Sequence, residues 1–294
     1  MSENKKSKPT LPREPGIYPG IPNSDYHADQ DSLSSSGAKT LAKPGGAARF
    51  HYEQTHPKAD SEALLFGTAA HAFILEGVKP AVFKGGKTLT SKKALDFITK
   101  ERDEREDPDL PVVTEEGWET LQAMGEAVYA NPLARRLLTA PGKAEQSVYW
   151  QHPSGATLRC RPDWLPEEED ETLGFLPIVD LKTTRDATPA GFRHSCFQLG
   201  YHQSAAWYAA GLAAINVSAN ARMVFIAVEK TPPYLVGVYT PSNEALEVGH
   251  ALNEIGIDKW VRARIFNDWE ALDGGLQTLA IKPYEIPENV LEEI

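Results

Sequence analysis

The 294-residue sequence predicts a mixed α/β domain carrying helical additions at both ends. Three observations predict it. Helical periodicity dominates from residue 61 to residue 138, strand-like runs cluster between residues 147 and 239, and one long helical segment crosses between those strands. Helices, then a compact sheet with a crossing helix, then more helices is the order of an α/β domain, and no internal repeat is visible.

Residues 1–15 read as a flexible arm, with residues 16–294 as one domain. Gly16-Ile17-Tyr18 through Asp25-Tyr26-His27 reads as a short strand and turn. Ser34 to Pro44 is a short helix, capped by serine and stopped by proline, and Ala47 to Tyr52 is another helical turn. Ser61 can cap a helix that Gly77 ends, with Leu64, Ala70, Ile74 and Leu75 on its apolar face. Residues 79–90, broken by Gly85-Gly86, form a loop or short hairpin. Ser91 to Arg105 is a charged helix with Leu95 and Ile98 inward, and Thr114 to Leu138 supplies further helices, broken at Asn131-Pro132. Ser147 to Gln151 and Ala156 to Pro162 are strands joined by the turn His152-Pro153-Ser154-Gly155. Phe175 to Lys182 is apolar on both faces until Asp180, which marks a central strand. A long helix spans Pro189 to Ala214, two strands at 223–228 and 234–239 flank Thr231-Pro232-Pro233, and Ser242 to Trp269 is mostly helical before a proline-containing tail.

Composition bounds the function. Apolar residues make up 41% and charged residues 24%, an ordinary globular balance, and no apolar run approaches the ~18–20 residues that span a bilayer. The basic start of the chain has no apolar core behind it, so it reads as no secretory signal. Two cysteines make neither a disulfide framework nor a four-cysteine cluster, which points to a reducing cytoplasm. The net charge of −11 argues against a surface that coats nucleic acid, but not against an enzyme with one basic channel. The run Glu167 to Glu171 is expected to be a solvated loop tip. Trp207, Trp260 and Trp269 are expected to pack in a core or an interface.

The candidate chemistry starts at Ile178-Val179-Asp180-Leu181-Lys182. Side chains alternate along a strand, so Asp180 and Lys182 point to one face. Asp163, directly after Arg159-Cys160-Arg161-Pro162, ends a strand, and a short hairpin would bring the two acids together. Asp163, Asp180 and the Leu181 carbonyl would then offer oxygen ligands to Mg²⁺ or Mn²⁺, with Lys182 steadying an attacking water or a developing negative charge. His71, inside the helix ended by Gly77, could add an imidazole, or it could be a packed helix residue satisfied by a carbonyl. Glu145 is a solvated acid or a second-metal or water-positioning group, and Gln198 and Tyr201 share a helical face.

These residues fall into four motifs: Gly67-Thr68-Ala69-Ala70-His71, Arg161-Pro162-Asp163, Val179-Asp180-Leu181-Lys182-Thr183-Thr184 and Gln198-Leu199-Gly200-Tyr201. Together they resemble the PD-(D/E)XK nuclease superfamily in its RecB-like branch. The opening segment, with Gly16-Ile17-Tyr18, Asp25-Tyr26-His27 and Leu33 to Leu41, resembles the phage-type exonuclease VIII (RecE) nuclease domain. The resemblance covers residues 16–239 and implies a restriction-endonuclease-like core, a central mixed sheet flanked by helices. It implies metal ligation by His71, Asp163 and Asp180, orientation or activation of the nucleophilic water by Lys182, and a Q-x-x-Y helix motif, Gln198 and Tyr201, near the site and the DNA. The acid of the D-x-K motif is aspartate here, where many relatives carry glutamate. No iron–sulfur cluster is expected, because the cysteines for one are absent.

The implied activity is metal-assisted degradation of linear double-stranded DNA from 5′ ends. The 3′ strand left behind would pass to a RecT-like single-strand annealing protein in recombination, within a phage or prophage setting in a bacterial cytoplasm. Relatives assemble as rings, which would reconcile a basic channel with an acidic exterior. Lys39, Lys43, Arg49, Arg159, Arg161 and Arg193 are candidate phosphate contacts. The alternatives are an endonuclease or repair nuclease of the same superfamily, and a nuclease-like module that binds DNA without cutting it.

Overall fold

The computed structural model of the protein describes residues 11–56, 61–272, 274–276 and 278–281. The start of the expected arm, residues 1–10, and the tail beyond residue 281 lie outside the described residues. The chain runs β1 (Gly16–Tyr18), α1 (Asn23–Ala28), β2 (Leu33–Ser34), α2 (Ser35–Ala42), α3 (Gly46–Thr55), α4 (Glu62–Glu76), β3 (Ala81–Phe83), α5 (Lys92–Glu104), β4 (Val112–Thr114), α6 (Glu115–Ala130) and α7 (Pro132–Thr139). Then come β5 (Gly142–Ala144), β6 (Ser147–Gln151), β7 (Thr157–Cys160), β8 (Trp164–Pro166) and β9 (Leu176–Thr184). Helices α8 (Pro189–Gln198) and α9 (Tyr201–Ala214), strands β10 (Ala221–Glu229) and β11 (Val236–Tyr239), and α10 (Asn243–Phe266) follow.

Local chemistry sets the helix ends where the sequence predicts them. The Ser34, Ser61, Ser91, Thr114 and Ser242 side chains each accept a backbone N–H at a helix start, and Gly77 closes α4 in the left-handed conformation. No helix among the described residues is long and apolar enough to cross a membrane.

The strands form a five-stranded sheet ordered β11-β10-β9-β8-β5, a four-stranded sheet ordered β1-β6-β7-β2, and the pair β3-β4. The long partners β9 and β10 are parallel, while β8 and β11 run antiparallel to them, so the main sheet is mixed. As predicted, β9 is central. Leu176 and Ile178 join a core containing Trp207, Phe225 and Trp260, and Val179 and Leu181 join another containing Leu121, Met124 and Leu137. Two packed layers thus grip β9 from Leu176 to Leu181, and Asp180 is buried with them. Trp207 and Trp260 are buried, Trp269 stacks on His51, and Glu167, Glu168, Glu169 and Glu171 are exposed, as the sequence suggests.

Several elements differ from expectation. Residues 23–28 form a helix with Tyr26 buried, not a turn. Residues 79–90 contain β3, which pairs in parallel with distant β4 instead of folding into a hairpin. Leu64 and Leu95 are exposed, and in α5 the neighbouring Ala94 takes the inward position. The expected helix 189–214 breaks at Leu199-Gly200, where Gly200 is left-handed (φ 68°). The strand expected to run through Pro162 ends at Cys160, and the chain changes sheets across Arg161-Pro162-Asp163 before β8 begins.

Candidate metal centre

That change of sheets positions the acids. In the β5–β8 ladder Ala144 faces Trp164, and in the β8–β9 ladder Trp164 faces Val179. One step further in each register sets Glu145, Asp163 and Asp180 in a row across three neighbouring strands. The Glu145 N–H donates to the Asp163 carbonyl at 3.3 Å, which fixes the near end of the row. Glu145 itself holds a left-handed backbone (φ 49°), an uncommon state for a residue with a side chain.

Helix α4 brings His71 against the central strand β9 and the start of β8. Its Nε2 lies 2.7 Å from the Leu181 carbonyl oxygen, and its Nδ1 lies 3.4 Å from Asp163 Oδ2. The same Oδ2 accepts the Leu181 N–H at 3.0 Å. A carbonyl can only accept, so Nε2 carries a proton. In a neutral ring the Nδ1 lone pair then faces a carboxylate, an arrangement that a cation completes. Ligand atoms of His71, Glu145 and Asp163 all lie within 4.8 Å of one another, a nitrogen-and-oxygen set that suits a divalent cation.

The predicted residues therefore divide. His71, Asp163 and Glu145 gather as one donor group. Asp180 stands beside it and turns to Lys182, whose Nζ is 2.5 Å from Asp180 Oδ2. The Leu181 carbonyl, expected as a ligand, here accepts from His71. Tyr201 reaches the site, with Lys182 Nζ 5.4 Å from its ring centroid. Gln198 does not share its helix: it is exposed at the end of α8, on the far side of the break at Gly200.

Electrostatics match the donor chemistry. Burial, reinforced by Asp163 and opposed by Arg161, pushes the Glu145 carboxyl up to about 8. Burial also raises Asp180, with Lys182 opposing. Burial works to lower Lys182, but Asp180 and Asp163 outweigh it and hold the ammonium above the ordinary lysine range. The acids crowd together with fewer cations than carboxylates, and a bound cation would relieve them.

The centre opens into a cleft of about 450 Å³ lined by Tyr26, Thr68, His71, Glu76, Glu145, Arg161, Asp163 and Tyr208. Glu76 and Tyr208 are not singled out by the sequence. Glu76 ends the helix that carries His71, and Tyr208 follows Tyr201 by two helical turns, so α-helical spacing from known residues was the available signal. Two expected phosphate contacts are corrected. Arg159 and Arg161 are buried: Arg159 Nη1 donates to the Ser32 carbonyl and hydroxyl, and Arg161 donates to Ser147 Oγ at 2.7 and 3.0 Å and to the Ile21 carbonyl at 3.0 Å. Lys43, Arg49 and Arg193 are exposed.

Residues 33–264 match a protein family described as "PDDEXK-like domain of unknown function (DUF3799)". A crystal structure named "Putative exonuclease", from Eubacterium rectale, is similar in fold, with a TM-score of 0.59 at 13% identity over 90% of this chain and 96% of that one. No curated protein matches the chain by sequence. The restriction-endonuclease-like α/β architecture predicted from the sequence is the one found.

Proposed function

Because the chain belongs to this PDDEXK-like family, we propose that it is a divalent-metal-dependent deoxyribonuclease that degrades linear duplex DNA from its ends. The observation that carries the reading is one convergence. The donor group of His71, Glu145 and Asp163 stands beside the Asp180–Lys182 pair on the central strand.

His71, Glu145 and Asp163 would hold Mg²⁺ or Mn²⁺, with Asp180 next in the row. When bound, such a cation supplies Lewis acidity toward the phosphodiester. The protein's own groups do the rest. Asp163 is held in place by the Leu181 N–H, so its carboxylate is oriented before substrate arrives. Lys182 keeps its proton in the field of Asp180 and Asp163, so it acts as a fixed positive charge and hydrogen-bond donor, not as a base. The Tyr201 ring flanks the ammonium and limits where it can turn.

The finer reading is a 5′-to-3′ exonuclease that leaves 3′ strands for a RecT-like annealing protein and encircles DNA as a ring. It is supported by the RecE-like opening motifs, by the name of the structural neighbour, and by the net charge of −11, which suits an acidic exterior around a local basic path. The deciding experiment is digestion of linear duplex labelled at the 5′ or the 3′ end, beside a closed circle, with Mg²⁺, Mn²⁺ or chelator. Release from the 5′ end, an intact circle, and no activity in chelator or in Asp180→Ala are expected. Cutting of the circle would make the protein an endonuclease. No cleavage by folded protein in any cation would leave only a binding module.

A further inference from the structure

Of the six basic residues that the sequence offers as phosphate contacts, Lys39 feels the charges of Lys182 and Asp180 and, among the described residues, ends on no protein partner. Lys39 lies on α2, one turn after Ser35, whose hydroxyl bonds Ser204 on α9 at 3.0 Å and so pins the two helices together. Its stem passes over Gly200: a Cβ there would sit 3.0 Å from Lys39 Cδ and 3.5 Å from Cγ. The break between α8 and α9 thus leaves room where this side chain runs. Among the described residues the Lys39 ammonium makes no hydrogen bond and no ion pair. By contrast, Arg159 and Arg161 end on protein acceptors.

We propose that Lys39 positions the substrate by holding a backbone phosphate next to the one cleaved, so that the strand enters between α2 and the α8–α9 break. The proposal rests on the nuclease reading for its substrate, and on the lysine's placement for everything else. A half-buried ammonium without a counter-ion is unfavourable, and a phosphate diester is the anion this substrate brings. The charge balance agrees. Burial, then the neighbouring charge of Lys182, pushes the Lys39 ammonium down to about 8, and the opposing pull of Asp180 does not restore it. Lys39 and Lys182 would then hold two phosphates of one strand.

The test compares wild type with Lys39→Met, which keeps most of the stem over Gly200, and with Lys39→Arg, which keeps the charge. Duplex DNA binding is measured across a salt series with Ca²⁺ in place of the reactive cation. Thermal melting with added inorganic phosphate is measured in parallel. For Lys39→Met the slope of log affinity against log salt should shrink by about 0.9, the loss of one phosphate contact. KM should rise more than kcat falls, and Lys39→Arg should restore the slope. An unchanged slope in a folded Lys39→Met protein would overturn the proposal. So would a lost slope that Lys39→Arg does not recover, since that marks a packing role. If wild type neither binds nor cuts DNA, the nuclease reading fails on its own. Phosphate that then stabilises wild type but not Lys39→Met would still support anion binding at Lys39, and equal stabilisation of both would exclude it.

Discussion

Arg159 and Arg161 differ from Lys39 and Lys182 in what completes their charge. The arginine side chains are 6% exposed, and each spreads its planar fork over serine hydroxyls, backbone carbonyls and the Tyr26 ring. Lys182 is 23% exposed and meets one carboxylate, and Lys39 meets none among the described residues. A guanidinium can satisfy several fixed acceptors at once, whereas an ammonium is a point charge on a mobile stem. The arginines therefore tie β7 and the junction before β8 to the N-terminal segment. They hold the architecture that sets Asp163 in place, and the lysines are left for the reacting strand.

The sharpest way to break this contrast is to remove one member of each pair by the same change. Lys182→Met should lower cleavage by about 10²–10³-fold, the usual worth of one donor to a developing charge, while the protein stays folded at assay temperature. Arg161→Met should act first on stability, with a smaller loss of cleavage because the guanidinium also faces Glu145 at 4.0 Å. It strips the buried Ser147 hydroxyl and the Ile21 carbonyl of a charged donor, a loss of about 3 kcal/mol. The melting temperature should fall by roughly 6–12 °C. Calorimetry and a cleavage assay on both variants check this, and matching profiles would erase the distinction.

How much of this was legible in the sequence follows from which forces fix each feature. The facing of Asp180 and Lys182 is set by strand alternation, and the central place of β9 by an unbroken apolar run, so both could be read locally. His71 could be placed on its helix because Ser61 and Gly77 mark both ends. The change of sheets at Arg161-Pro162-Asp163 could not, because it is decided by which distant strands accept β7 and β8. The same holds for β3 and β4, three residues each, which exist only through each other. Gly200 interrupts a segment whose other residues favour a continuous helix, and its left-handed turn answers the packing of α2. Glu145 was ambiguous for a similar reason: the ladder to β8, not its neighbours in sequence, carries it to Asp163.

A smaller effect sharpens the comparison through protons. The Glu145 carboxyl titrates near 8 in the fold, against an ordinary value of 4.5. Between those values the folded, metal-free protein keeps a proton that the unfolded chain has released. The stability this contributes is complete below about 4.5 and is lost as pH rises through about 8. In chelator, the melting temperature should therefore decline from pH 5 to pH 9, and Glu145→Gln should flatten the decline. An added divalent cation should stabilise wild type more at the alkaline end, where it no longer competes with that proton. Equal slopes in wild type and Glu145→Gln would mean that the acid row is not what titrates.

The smallest effect isolates the course of Lys39. Gly200 and Gly155 are both left-handed, at φ 68° and 83°, so alanine at either carries a backbone penalty of about 1–2 kcal/mol. Their surroundings differ. A Cβ at Gly155, in the turn between β6 and β7, meets nothing within 4 Å, whereas one at Gly200 meets Lys39 Cδ at 3.0 Å. Gly155→Ala should therefore lower the melting temperature by a few degrees and leave DNA affinity alone. Gly200→Ala should cost similar stability and also weaken duplex binding, because the lysine stem must move aside from the break that guides it. Subtracting one variant from the other removes the shared backbone strain and leaves the contact with Lys39. Equal affinities in the two variants would show that Gly200 serves the chain reversal alone, and that the lysine reaches its place without it.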